Sequence, residues 1–81
     1  MDATDHAIDA VGLECPEPLM ILRNKVRDMG EGETVSVVAT DPSTLRDFTN
    51  FCRFMGHELA ESSRDGDRYR FTIRKRGKPA R

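Results

Sequence analysis

Cys15-Pro16-Glu17-Pro18 is the stretch of this chain whose residue types and spacing best suit chemistry. The cysteine stands between a predicted strand and a predicted helix, at or just before the first helical turn. Unpartnered backbone donors and the positive end of a helix dipole favour an anion there, so a thiolate or persulfide is suited to the position. Prolines are tolerated because first-turn N–H groups have no helical partner to lose, and they stiffen the chain that presents the sulfur. Each proline also removes a donor. With Cys15 as N-cap, Pro18 occupies N3 and only the Glu17 amide is left for the sulfur. Pro18 further disfavours a helical Glu17, which moves the helix start towards Pro18. Glu14 and Glu17 flank the thiol with like charge and raise its pKa. The expectation is a presented thiol rather than a strongly acidified one, and the spacing alone names no reaction.

Other reactive residue types carry less. Cys52 falls on the apolar stripe of a second predicted helix and reads as a buried core thiol. His6 and His57 show no ligand spacing with the cysteines, so no metal site is expected. Asp41-Pro42 reads as a helix start, N-cap followed by proline at N1, rather than as a phosphate cradle. Phe48, Phe51 and Phe54 recur at a spacing of three. Phe48 faces the core, and one of the other two is expected to be partly exposed. No Ser-His-Asp set, paired catalytic carboxylates or nucleotide fingerprint is present, and no general base is apparent.

The elements that must position Cys15 follow from periodicity. Ala7–Ala10 alternates as a short strand, and Gly12 breaks it. From Pro16 to about Met29, Leu19, Leu22, Val26 and Met29 recur at 3, 4 and 3, one face of a helix that Gly30 and Gly32 end. Thr34–Ala39 is a strand with Val35, Val37 and Ala39 on one face. The second helix runs from Asp41-Pro42 to about Met55 on Leu45, Phe48, Cys52 and Met55, and Gly56 stops it. His57–Ser63 is a weaker strand, Asp65-Gly66 has hairpin-turn chemistry, and Tyr69–Arg74 alternates as the last strand. The predicted fold is an α/β (α+β) two-layer sandwich, βαβαββ, with two helices on one face of a four-stranded mixed sheet. Residues 1–81 are expected to form one domain, with 77–81 a disordered tail.

Composition narrows the function classes. A chain of 81 residues, 37% hydrophobic with net charge −1, suits a globular domain with a thin core and no deep substrate cavity. The N-terminus is acidic where a secretory signal would be basic, and no run approaches the about 18 apolar residues that span a bilayer. These features predict a cytoplasmic protein without membrane contact, in which a Cys15–Cys52 disulfide is a poor prospect. Residues 1–67 hold 14 acids against 6 bases, whereas residues 68–81 hold 7 bases and no acid. That asymmetry is not enough to read the chain as a nucleic-acid binder.

The run from Asp9 through Cys15-Pro16-Glu17-Pro18 resembles the signature of the TusA family of sulfur carriers, also called SirA-like proteins. The resemblance continues through Gly32-Glu33-Thr34, Asp41-Pro42-Ser43-Thr44, Arg46-Asp47, the segment from Phe51 to Met55, Gly56-His57-Glu58-Leu59, Tyr69-Arg70-Phe71 and Ile73-Arg74-Lys75. It implies a βαβαββ sandwich in which Cys15 is the persulfide cysteine, with Pro16, Glu17 and Pro18 completing the motif and Asp41, Pro42 and Arg46 matching retained positions. It further implies a sulfurtransferase without a cofactor. Sulfur would come from a cysteine desulfurase, pass to a TusBCD-type relay, and reach the wobble uridine of tRNA. Molybdenum-cofactor maturation and sulfur oxidation are alternative destinations. A non-catalytic RNA- or protein-binding regulatory module is the alternative of another class. Arg74 and Lys75, at the end of the basic last strand, are the candidates for docking an acidic partner.

Overall fold

The computed structural model describes residues 4–76; the expected tail, 77–81, lies outside the described residues. The elements are β1 (His6–Ala10), α1 (Glu17–Asp28), β2 (Thr34–Ala39), α2 (Thr44–Met55), β3 (Glu58–Asp65) and β4 (Arg68–Arg74). They form a four-stranded sheet of order β1-β2-β4-β3. β1 pairs in parallel with β2, and β4 runs antiparallel to both β2 and β3. β1, β2 and β3 therefore point the same way, and each βαβ crossover is filled by one helix. α1 packs over β1 and β2, α2 packs over β3 and β4, and the helices touch each other. This is the predicted sandwich.

The core follows the period-two pattern of the strands: Ile8 and Ala10, Val35, Val37 and Ala39, and Phe71 and Ile73 all point inward. Phe48 meets Phe71 edge-on, ring centroids 4.7 Å apart at 62°, a geometry worth about 0.5–1.5 kcal/mol beyond area burial. β3 contributes little: along Glu58–Asp65 only Leu59 is half-buried, as suits a polar edge strand.

Both helical stripes differ slightly from their expected positions. On α1 Leu22 and Val26 are buried as expected, as is Met29 just past its end, while Pro18 takes the fully buried place of the half-buried Leu19. On α2 the buried line is Thr44, Phe48 and Cys52, while Leu45 and Met55 are exposed. Phe51 is half-buried and Phe54 is 88% exposed, so the exposed aromatic is Phe54.

Other boundaries shift for local reasons. The hairpin turn is Gly66-Asp67, because Asp65 still pairs with Arg68. Gly66 takes the positive φ of 65° that its first central position requires. α2 starts at Thr44 with Ser43 as N-cap, because Asp41 and Thr44 close a turn: the Thr44 amide donates to the Asp41 carbonyl at 3.0 Å. The Asp41 side chain is thereby released for other work.

Candidate functional site

Parallel pairing of β1 with β2 places the loops that follow them side by side at the carboxyl end of the sheet. Gly12, with φ 85°, turns the chain sharply after β1. Its amide donates to Thr40 Oγ1 of the neighbouring loop at 2.9 Å. Three residues on, the Cys15 amide donates to Asp41 Oδ2 at 2.6 Å. The other oxygen of Asp41 accepts from the Ser43 amide and hydroxyl, both at 3.0 Å. One carboxylate thus ties the cysteine loop to the entry of α2. These charge-assisted donors, the Ser43 amide first and the Cys15 amide second, hold the Asp41 carboxyl below its usual range.

Cys15 is exposed, and its thiol donates to Asp47 Oδ2 at 3.3 Å. Asp47 is in the first turn of α2, 32 residues along the chain. This contact is the main reason that the thiol pKa is raised; local desolvation and the charges of Asp47 and Asp41 add to it, and only the Ser43 hydroxyl pulls it down. Glu14 and Glu17, expected to supply the like charge, are not among these causes. The Glu17 amide, expected to serve the sulfur, donates to the Glu14 carbonyl at 2.9 Å. The N-cap of α1 is Pro16 rather than Cys15, so the thiol sits one residue before the cap. Around it is a shallow depression of about 520 Å³ lined by Leu13, Glu14, Thr40, Asp41 and Ser43. A groove of similar size, about 540 Å³, crosses the uncovered sheet face past Asp9, Ser36 and Arg70 and contains no thiol.

Pro16 and Glu17 are exposed beside the sulfur, whereas Pro18 is fully buried and roots the motif in the core. Cys52 is a free thiol too, but buried, and burial pushes its pKa up to about 11. Among the described residues, no three His, Cys, Asp or Glu side chains converge as a metal-ligand set.

The family model described as sulfurtransferase TusA matches residues 6–75, nearly the whole described chain. This chain belongs to the TusA sulfurtransferase family. The fold is also that of a solved SirA-like protein from Desulfitobacterium hafniense, with a TM-score of 0.78 and 25% identity over 88% of this chain and 97% of that one. Family membership gives the TusA-like chain a role in sulfur transfer, and among its described residues no helix is long and apolar enough to cross a membrane.

Arg74 and Lys75 of this TusA-family chain lie away from the sulfur. Arg74 pairs with Thr34 at the start of β2, whereas the Cys15 loop meets the end of that strand. Five residues of strand separate the two levels by about 17 Å. Arg74 Nε is 3.4 Å from Glu58 Oε1, and Lys75 Nζ donates to the Met29 carbonyl at 2.7 Å, capping the end of α1. Asp47, whose carboxylate accepts from the thiol, entered the sequence reading only through the Arg46-Asp47 pair of the family resemblance, with no role attached.

Proposed function

We propose that Cys15 carries sulfane sulfur as a persulfide, accepting it from a cysteine desulfurase and handing it to a partner's cysteine in the cytoplasm. The observation that carries this reading is the exposed Cys15 thiol, anchored through its own amide to Asp41 at the mouth of a shallow depression. Pro16, Glu17 and Pro18 shape that presentation. The Cys15 sulfur attacks the outer sulfur of the donor persulfide; a new S–S bond forms, the donor's S–S bond breaks, and its electron pair leaves on the donor's cysteine. One thiol and one persulfide become one persulfide and one thiol, with no external oxidant. A downstream thiol then repeats the attack on Cys15. Neither step needs an enclosed cavity, which suits a site this open.

The resemblance of the motif and the phenylalanine-rich segment to the TusA branch favours a TusBCD-type acceptor and tRNA wobble-uridine 2-thiolation as the destination. Direct RNA binding is no part of this reading. Docking of an acidic partner through Arg74 and Lys75 would require both side chains to leave Glu58 and the end of α1, a sheet's length from the sulfur.

Intact mass before and after incubation with a cysteine desulfurase, free cysteine and pyridoxal phosphate tests the carrier. The expected result is a reducible gain of about one sulfur atom that survives Cys52→Ser and vanishes in Cys15→Ser. No gain on the parent, or a gain that follows Cys52, would move the reading to a non-catalytic binding module.

A further inference from the structure

We propose that Asp47 is the general base of sulfur loading: its carboxylate takes the Cys15 thiol proton as the sulfur attacks and returns it to the departing donor thiolate. The inference rests on the carrier reading above and adds to it the proton path. A nucleophile must lie within hydrogen-bond reach of the group that deprotonates it, and a third group should orient that base. The first condition is met by a hydrogen bond, and the exposed Arg46 guanidinium lies near the base without hydrogen-bonding it. The Cys15 thiol donates to Asp47 Oδ2 at 3.3 Å, and Arg46 Nε lies 3.9 Å from the other oxygen, Oδ1. The Asp47 side chain is 20% exposed, so its position is set by the start of α2 rather than by solvent.

The charged groups about the sulfur give such a base work to do. Asp41 and Asp47 come from the β2–α2 side, Glu14 and Glu17 flank the cysteine on its own segment, and the Arg46 guanidinium stands behind Asp47. In that setting the resting thiol keeps its proton, as its raised pKa agrees. A thiol that is not ionised in advance attacks efficiently only if the proton leaves as the new S–S bond forms. The step balances. The Sγ–H proton goes to Oδ2, the sulfur's electron pair forms the bond to the donor's outer sulfur, and the old S–S pair leaves on the donor's inner sulfur. That sulfur then takes the proton back from Asp47, and no oxidant or reductant enters.

Asp47→Asn separates this role from a passive restraint, because the two predict opposite signs. Replacing the charged acceptor by an amide lets Cys15 ionise at lower pH, seen as thiolate ultraviolet absorbance measured against Cys15→Ser. If Asp47 only restrained the thiol, single-turnover sulfur loading at neutral pH would quicken. With Asp47 as base, loading slows by about 10²-fold although more thiolate is present. The pH dependence of loading would then follow thiolate formation alone. Asp47→Glu, which keeps a carboxylate one methylene further out, should recover part of the rate. Loading of Asp47→Asn at or above the parental rate overturns the proposal and leaves the carrier reading intact; absence of loading on parental Cys15 would remove the carrier reading itself.

Discussion

The two thiols of this chain sit at opposite extremes of one small molecule. Cys52 lies on the inner face of α2, 3% exposed among the core side chains. Cys15 lies two residues before α1 and is open to solvent. Both pKa values are raised, but for different reasons: desolvation at Cys52, and above all a hydrogen bond to the Asp47 carboxylate at Cys15. A shifted thiol pKa therefore says little about function until its cause is known. Burial confines a thiol's reaction to moments when the core opens. A carboxylate beside an exposed thiol suppresses resting ionisation, yet it leaves the sulfur reachable and its proton acceptor already in place.

The comparison breaks first on reactivity. With excess iodoacetamide at mildly alkaline pH, Cys15 should be alkylated on the order of 10³-fold faster than Cys52, which reacts only through opening of the core. Peptide mass mapping over time checks this, and comparable rates would mean that Cys52 is not sequestered. Stability should reverse the order of importance. Cys52→Ser buries a hydroxyl among apolar side chains and should lower unfolding free energy by about 1–3 kcal/mol in urea titrations. Cys15→Ser, at the surface, should change it by no more than about 0.5 kcal/mol.

The smallest effect concerns acid. The Asp41 carboxyl titrates below its ordinary value of 3.8 in the fold, held down by the Ser43 and Cys15 amides. Its contribution is thus complete above the unfolded pKa and is lost as pH falls through the lower folded value. On acidification, amide signals of residues 12–15, Asp41 and Ser43 should move before those around Cys52. Simultaneous movement of both groups would show that Asp41 does not tie down the cysteine loop by itself.

Much of the architecture was legible because its signals are local. Alternation marks β1, β2 and β4, a period of three to four marks both helices, and Gly56 with φ 80° stops α2 where expected. The misreadings were local too. Asp41-Pro42 has the chemistry of a helix start, but Asp41 directs its carboxylate to the Ser43 and Cys15 amides, and the helix begins at Thr44. Leu45 and Met55 fit the helical spacing yet lie on the flank of α2, since spacing fixes a stripe only to within about one residue's rotation.

The sequence by itself determined the order and type of the elements, the buried character of Cys52, and the presentation of Cys15 ahead of a proline-rich helix start. These depend on neighbours a few residues away. Only the tertiary structure decided which charges meet the sulfur. Glu14 and Glu17 are close in the chain, but Asp41 and Asp47, 26 and 32 residues from Cys15, are the carboxylates that contact its amide and its thiol. The same holds for Lys75, whose Nζ meets the carbonyl of Met29, 46 residues away, at the end of α1. The physical reason is the parallel pairing of β1 with β2, which sets two distant loops side by side and is specified by the packing of the whole sheet.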